Sequence, residues 1–288
     1  MASLKLQVIN TARLSGRHDG ITDTDNRLGI EDHYVAAFKG DLIGLCPEVQ
    51  FIDISHDVEH FNILQASFIL RSTYSRFPKG TIHYIGLSGS DPNQKSANPD
   101  FLIVNAEGHT FIGQDSGIFS LLLGESAMEI VQLAMPENSS ASEQSDKLLQ
   151  SIVALIRGTE ANQLGEIKST IHQSYLAQPT VDSDSIRGTI LYIDTFGNVI
   201  VNVERILFER ERKDRDFTIF LRKSKYDINK ISHHYHDIEI GEIVALFNRQ
   251  GFLEIAINHD SAAHLLGLKM MDPIRIEFYD RKNRTNDV

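Results

Sequence analysis

The sequence predicts an α/β fold, in which an N-terminal α/β layered domain is followed by a C-terminal antiparallel β-barrel domain. Strand and helix patterns alternate over residues 1 to about 170, as is typical of partly parallel strands covered by helices. From Ile186 onward the pattern changes to short strands, which favours a small antiparallel barrel. Between these regions, Pro179 and its polar neighbours indicate a linker at about 176–185. We therefore predict two domains, residues 1–175 and 186–288.

The elements of the first domain follow from apolar runs and from the residues that interrupt them. The predicted strands cover residues 4–10, 49–54, 81–87, 101–105 and 110–112. The predicted helices have apolar residues at helical spacing and cover residues 32–45, 63–77 and 148–158. The segments 11–28 and 88–100 are rich in turn-forming polar residues. They predict long loops, and loops of that size often carry function.

The charge balance argues against a polyanionic partner. Acidic residues outnumber basic residues by 39 to 28, which gives a formal net charge of -11 over 288 residues. We therefore expect neither nucleic acid nor an anionic membrane as a main partner. Cys46 is the only cysteine, so no intrachain disulfide is possible and a reducing compartment is favoured. Since no apolar run suits a signal peptide or a membrane span, we expect a cytoplasmic protein.

The segment DTFGNVIVNV, residues 194–203, combines a turn with polar side chains and an aromatic ring. An alternating β-branched run precedes it and predicts a half-buried strand, and Gly197 supplies the turn. The Asn198 amide has the donors and the acceptor that pair with an adenine edge, and Phe196 has a ring that can stack on the base. Asp194 and Asn202 add polar groups. The segment is either a purine site or a hairpin in which Asn and Gly only make the turn.

Segments in both halves of the chain resemble one family, in the same order. They are GIEDHYVAAFKG at 29–40, FIDISHDVEHFNILQASFIL at 51–70, FPKGTIH at 77–83, FIGQDSGI at 111–118, and DTFGNVIVNV at 194–203 with NRQGFLEIAINHDSAAHLLGL at 248–268. The chain thus resembles the S-adenosyl-L-methionine (SAM) hydroxide adenosyltransferases, the family that includes fluorinases and chlorinases. The resemblance implies a homotrimer that holds SAM between the N-terminal domain of one subunit and the C-terminal domain of its neighbour. SAM is then the substrate or ligand, and no cofactor is implied.

The resemblance also implies a set of ligand-binding residues: Asp32, Phe61, Asp194, Phe196, Asn198, Asn248 and Asn258. Phe196 and Asn198 fall at the adenine. Asp194 and Asp32 fall at the methionine amine, where a carboxylate makes a charge-assisted contact. Phe61 falls against the ribose, where an aromatic ring excludes water around the sulfonium. Two alternatives stay open, namely that Asp32 caps its helix and that Phe61 belongs to the core.

The family's reaction is a displacement at the ribose 5′ carbon, in which methionine leaves and hydroxide or halide enters. Its hydrolytic members resemble one another in an Asp, Arg and His set that positions water. In this chain Ser88 stands at the place of that Asp, Lys95 near that of the Arg, and Glu143 near that of the His. These three are the candidate catalytic residues, although Lys95 cannot hold a partner by two parallel hydrogen bonds as Arg can. Asp25 is the candidate for the family's carboxylate on the ribose hydroxyls.

Three hypotheses about function follow from these patterns. The chain is a SAM-binding enzyme that splits SAM to adenosine and methionine, or a non-catalytic SAM or adenosine binding or sensor protein, or a structural trimer without a nucleoside ligand. A histidine-rich run, residues 233–237, has the residue types of a Zn²⁺ or Ni²⁺ site. The alternative for this run is an exposed connection between strands, and we predict no bound metal. His56 is either a base or a hydrogen-bonded turn residue.

Overall fold

The protein is described by a computed structural model that covers residues 5–10, 33–56, 58–59, 62–86, 100–124, 126, 128–136, 139–221 and 226–280. The chain forms two compact units, Met1–Tyr175 and Leu176–Val288. In the described ranges, none of the helices has both the length and the apolar character that crossing a membrane requires.

The N-terminal unit is built on a seven-stranded mixed sheet. Its strands are β1 (Lys5–Asn10), β2 (Gln50–Ser55), β3 (Ile82–Gly86), β4 (Phe101–Ala106), β5 (His109–Gln114), β6 (Met128–Leu133) and β7 (Gly165–Lys168). Its described α-helices are α1 (His33–Leu45), α2 (Ile63–Arg71), α3 (Ile118–Leu123) and α4 (Ala141–Ile156). Short 3₁₀ helices lie at Tyr74–Arg76 and Ala161–Gln163.

The strand order of this sheet is β2-β1-β3-β5-β4-β6-β7. β1 is parallel to β2 and to β3, and β3 is parallel to β5. β4, β6 and β7 are joined by antiparallel pairing. The prediction of an α/β layer with partly parallel strands is therefore confirmed.

Helices cover both faces of this sheet, because alternate strand residues point to opposite sides. In β4, Leu102 and Val104 belong to a core that includes residues of α2 and α3. Ile103, between them, belongs to a second core that includes residues of α1 and α4. Cys46 is buried in this second core. The unit is thus a three-layered α/β structure in which the sheet is the middle layer.

The predicted helix 148–158 is the second half of α4, which begins at Ala141. Ser140 caps the helix: its hydroxyl accepts a hydrogen bond from the Glu143 backbone N–H at 3.3 Å, and the Glu143 carboxylate accepts from the Ser140 backbone N–H at 2.7 Å. This reciprocal capping box satisfies two N–H groups that have no partner inside the helix. The helix therefore starts at a polar signal that apolar periodicity does not reveal.

The C-terminal unit is built on an eight-stranded sheet. Its strands are β8 (Thr180–Val181), β9 (Ser185–Ile193), β10 (Val199–Glu204), β11 (Asp216–Phe220), β12 (Ile231–Ser232), β13 (Ile243–Phe247), β14 (Phe252–Ile257) and β15 (Pro273–Tyr279). Two α-helices, α5 (Arg205–Arg212) and α6 (Ala262–Leu266), and a 3₁₀ helix at Tyr235–Asp237 lie between them. Residues 176–185, the predicted linker, include β8 and the first residue of β9.

The strand order of the second sheet is β11-β15-β9-β10-β14-β13-β12, with β8 beside β9. Its pairs are antiparallel apart from β12 with β13. Val199, Val201 and Val203 of β10 are fully buried and pack in one core with Phe208 of α5. Among the described residues no strand pair joins β11 to β12, so closure into the expected antiparallel barrel stays a prediction.

Candidate functional site

The turn between β9 and β10 is organised by the carboxylate of Asp194. Its Oδ1 accepts hydrogen bonds from the backbone N–H groups of Phe196 and Asn198, both at 2.9 Å. Its Oδ2 accepts a third, from the Asn198 side-chain amide, also at 2.9 Å. Phe196 lies within this turn and is 78% exposed.

Gly197 lets this turn lie against the start of α6. Its φ of +80° is in the left-handed region that favours glycine, and a Cβ at this position would lie 2.0 Å from the Ser261 hydroxyl oxygen. The Gly197 carbonyl accepts a hydrogen bond from the Ala263 N–H at 2.9 Å. The position of the turn is therefore fixed from two sides, by β9 and β10 and by α6.

The turn forms one wall of a cavity of about 510 Å³ within the C-terminal unit. The cavity is lined by Asp194, Phe196, Asn198, Tyr235, Ile257, Asn258, His259 and Asp260. Asn258 reaches it from the end of β14, where its amide donates to the Ile238 carbonyl at 2.9 Å. Four of the predicted ligand-binding residues, Asp194, Phe196, Asn198 and Asn258, thus line one cavity.

A second wall is anchored by a hydrogen bond between Tyr235 and Glu254. The Tyr235 hydroxyl donates to Glu254 Oε1 at 2.5 Å, and Glu254 is 5% exposed. Burial raises the pKa of the Glu254 carboxyl, as does the nearby charge of Asp194, although the hydrogen bonds from Tyr235 and Asn248 act in the opposite direction. Burial, and then the bond to Glu254, raise the pKa of Tyr235. The hydroxyl therefore stays protonated, which keeps it a donor to Glu254.

Two other asparagines of the predicted segments lie elsewhere. The Asn202 amide is buried, where its oxygen accepts from the Thr189 N–H at 2.7 Å and its NH₂ donates to the Ala177 carbonyl at 2.5 Å. Asn248 lies in the turn between β13 and β14 and does not line the cavity. Its side chain forms a hydrogen bond with Glu254, and Glu254 in turn accepts from Tyr235 of the second wall.

The candidate catalytic residues are not brought together within the described part of the chain. Ser88, Lys95, Asp32, Phe61 and Asp25 lie outside the described residues. Glu143 is exposed on α4, where its carboxylate forms the capping box with Ser140. Hydrogen bonds from the Ser140 backbone and hydroxyl lower the pKa of this carboxyl. A catalytic role for Glu143 stays a prediction, beside the capping role that its contacts show.

The histidine-rich run forms a loop in which Asp237 has a structural role. One Asp237 oxygen accepts hydrogen bonds from the backbone N–H groups of His233 and His234, at 2.8 and 3.0 Å. The rings of His234 and His236 stack with their centroids 5.1 Å apart. Over the described ranges, no group of three His, Cys, Asp or Glu side chains is arranged to hold a metal ion. Residues 233–237 are exposed and connect β12 to β13, and the absence of a bound metal stays a prediction.

His56 lies after β2 in an ionic cluster. Its Nε2 is 3.0 Å from Asp53 Oδ1, and the Lys39 ammonium is 2.7 Å from Asp53 Oδ2. Burial alone would raise the pKa of Asp53, but the hydrogen bonds and charges of Lys39 and His56 lower it. His56 is thus hydrogen-bonded directly after a strand, as its second alternative predicts, and a role as a base stays untested by these contacts.

Two family models match the chain in sequence. The model described as the SAM hydroxide adenosyltransferase N-terminal domain matches residues 23–165, and the model described as the C-terminal domain of the same family matches residues 188–275. The chain belongs to the SAM hydroxide adenosyltransferase family. The second match contains all eight of the residues that line the cavity.

Individual relatives of this adenosyltransferase-family chain match it over most of its length. The (R)-S-adenosyl-L-methionine hydrolase of Methanocaldococcus jannaschii is 25% identical over 262 residues, which are 86% of this chain and 92% of that protein. The fluorinase of Actinoplanes sp. is 22% identical over 274 residues, 84% of this chain and 92% of that protein. The crystal structure of a conserved protein from Thermotoga maritima has a TM-score of 0.75 at 24% identity, covering 86% of this chain and 96% of that chain, and shows the same fold.

Sequence reasoning did not single out every residue of the adenosyltransferase-family cavity. Tyr235 and Asp260 line it but were not among the predicted ligand-binding residues. Tyr235 lies in the histidine-rich run, where the conspicuous imidazoles indicated a metal alternative. The available signal was an aromatic ring in a polar loop together with an acidic residue, Glu254, in an otherwise apolar strand, since such a carboxylate needs a buried donor.

Proposed function

We propose that this protein binds SAM and hydrolyses it to adenosine and methionine. The observation that carries the proposal is the cavity of the C-terminal unit, in a chain of the SAM hydroxide adenosyltransferase family. Relatives that match most of the chain are named (R)-S-adenosyl-L-methionine hydrolase. The same cavity and family membership favour SAM over an unrelated ligand.

The side chains of the turn suit the adenine end of SAM. Phe196 has an exposed ring that can stack on the base, and stacking accepts any flat base. The Asn198 amide uses one N–H on Asp194, which leaves its oxygen and its second N–H for an adenine edge. Asn258 lines the same cavity and adds polar groups near the base. We assign Phe196 to stacking and Asn198 to recognition of the base edge.

The charge of the cavity suits a cationic ligand. Asp194 and Asp260 are among its described lining residues, and neither lysine nor arginine is. SAM carries a sulfonium and an ammonium, so nearby carboxylates attract it, whereas a nucleoside phosphate would be repelled. Asp194 can accept the methionine ammonium as well as the donors of its own turn. This preference separates SAM from adenine nucleotides that share the same base.

The proposed chemistry is a single displacement. A water oxygen forms a bond to the ribose 5′ carbon while the bond from that carbon to sulfur breaks, and its electron pair neutralises the sulfonium as methionine leaves. The water proton passes to solvent or to a base, and adenosine remains. No oxidation occurs, so the step needs no redox cofactor, and we propose that none is used. Ser88, Lys95 and Glu143 remain the proposed catalytic residues, with Asp32 and Phe61 proposed at the methionine and ribose.

We also propose a homotrimer with the SAM site completed by a neighbouring subunit, and closure of the C-terminal sheet into a barrel. Phe196 and Ile240 are 78% and 75% exposed, and Ile240 precedes Gly241, which donates to the Asn258 carbonyl at 2.8 Å. Apolar groups beside a ligand cavity favour a covering partner. Sedimentation equilibrium should give three times the chain mass of 32.4 kDa. A mass of one chain would contradict the trimer.

The function is tested by calorimetry followed by product analysis. SAM and adenosine are titrated into the protein, and a long incubation with SAM is then separated by chromatography. We expect binding of both ligands and equal amounts of adenosine and methionine. SAM binding without product would contradict hydrolysis and favour a non-catalytic binding protein. Absence of binding by either ligand would contradict the adenine site itself.

A further inference from the structure

The orientation of the Asn198 amide is set by Asp194. The Asn198 Nδ2 atom lies 2.9 Å from Asp194 Oδ2. An ionised carboxylate accepts hydrogen bonds and donates none, so the atom facing it must be the amide nitrogen and the amide oxygen must point away. An asparagine without such a partner can exchange its oxygen and nitrogen by turning half a revolution. The hydrogen bond to Asp194 therefore fixes the Asn198 amide in one of its two orientations.

The turn itself does not require a carboxylate. Asp194 Oδ1 accepts from the backbone N–H groups two and four residues further on. In the turn between β13 and β14, the side-chain oxygen of Asn248 accepts from the backbone N–H groups at the same two relative positions, at 3.1 and 3.0 Å. An amide oxygen is thus sufficient for this turn. The second oxygen of Asp194 makes no bond to the turn backbone and is the one that holds Asn198.

We propose that Asp194 is a positioning residue that selects a 6-amino purine over a 6-oxo purine, acting through Asn198. With its nitrogen held by Asp194, Asn198 leaves an oxygen and one N–H for a base edge. That oxygen accepts from the exocyclic amino group of adenine but repels the exocyclic oxygen of hypoxanthine. Sites built around such hydrogen bonds reject the mismatched analogue strongly. The inference rests on the proposed function, because it takes the base in the cavity to be adenine.

The test compares adenosine and inosine binding in the wild type and in Asp194→Asn. The new amide oxygen can keep both backbone bonds, as Asn248 does, but its NH₂ then faces Asn198. The Asn198 amide must turn its oxygen toward that NH₂, which reverses the pattern offered to the base. We expect the adenosine-to-inosine affinity ratio to fall by about tenfold or more. Neither nucleoside carries the methionine ammonium, so the lost charge does not obscure the ratio.

Two further variants keep the test decisive. Asp272→Asn makes the same chemical change at a turn outside the cavity, where the Asp272 carboxylate accepts from the Lys269 N–H at 2.9 Å. Its ratio should equal that of the wild type. Asp194→Ser is used if the asparagine variant does not fold, because a hydroxyl can accept a turn N–H but is too short to hold Asn198. Its ratio should fall as well.

The outcomes separate this inference from the proposed function. If the wild type binds SAM and adenosine but does not prefer adenosine to inosine, the inference is overturned. It is also overturned if a folded Asp194 variant keeps the wild-type ratio. If the wild type binds neither SAM nor adenosine, the proposed function itself is contradicted, whatever the Asp194 variants show. If Asp194 only stabilised the fold, a folded Asp194 variant would have a changed melting temperature and an unchanged adenosine-to-inosine affinity ratio.

Discussion

Replacing Phe196 by alanine should separate ligand binding from folding. The Phe196 ring is 78% exposed, so folding removes about a fifth of its surface from water. For a side chain of about 200 Å², that fraction is about 45 Å², and at about 25 cal/mol per Å² its loss costs about 1 kcal/mol at most. Loss of stacking on a base costs about 1 to 3 kcal/mol, which is about 5-fold to 150-fold in affinity. The variant should therefore fold normally and bind adenosine weakly.

Isothermal calorimetry with adenosine, together with a urea titration, measures both effects. Ile206→Ala is the matched control, because Ile206 is also 78% exposed but lies on α5 and does not line the cavity. The control should lose neither stability nor adenosine affinity by more than about 0.5 kcal/mol. Equal adenosine affinity in Phe196→Ala and the wild type would refute the assignment of this ring to the base.

Three further predictions concern the turn, the second wall and the N-terminal unit. Gly197→Ala should lower the free energy of unfolding in a urea titration by about 1 to 3 kcal/mol, because φ is +80° and a Cβ would lie 2.0 Å from a side-chain oxygen; wild-type stability would contradict this. Tyr235→Phe should cost a similar 1 to 3 kcal/mol, about the cost of removing one of the two side-chain donors to buried Glu254, and an unchanged urea midpoint would refute that contact. Burial, followed by the charge of His109, lowers the pKa of His83 from 6.5 to about 3, so only the unfolded chain takes up this proton between those values. Protonation of His83 in the unfolded chain therefore leaves stability unchanged above pH 6.5 and lowers the free energy of unfolding by about 2 kcal/mol at pH 5. Between pH 7 and 5, His83→Gln should lose about 2 kcal/mol less of its free energy of unfolding than the wild type. Equal losses would show that His83 does not titrate this way.

The parts of the fold that local patterns predicted are those whose signal is contained in a short stretch of chain. The strands β1, β2 and β3 and the helices α1 and α2 each carry an apolar pattern ended by Gly, Pro or polar residues. β6 and β7 were not predicted, because their place depends on pairing with β4 and with each other. Such pairing joins residues far apart in sequence, which local propensity does not encode. Closure of the second sheet into a barrel likewise depends on pairing between strands that are far apart in sequence.

The candidate site divides in a similar way. Asp194, Phe196 and Asn198 belong to one turn, so their proximity follows from the chain itself. Asn258 joins them only because β10 pairs with β14, and the family resemblance, not spacing, indicated it. Tyr235 is held beside the cavity by its hydrogen bond to Glu254. It belongs to the histidine-rich run, whose composition indicated a metal site as one alternative. The candidate catalytic residues come from two separate segments, Ser88 and Lys95 from residues 88–100 and Glu143 from the start of α4, so only the resemblance connected them.

Hydrolysis of SAM in water labelled with oxygen-18 tests the proposed function most directly. Displacement at the ribose 5′ carbon by water places the labelled oxygen in the 5′ hydroxyl of adenosine, and mass spectrometry of the product reads its position. We expect one labelled oxygen in each adenosine and an equal amount of unlabelled methionine. Adenosine without the label, a product other than adenosine, or intact SAM after prolonged incubation would contradict the proposed reaction.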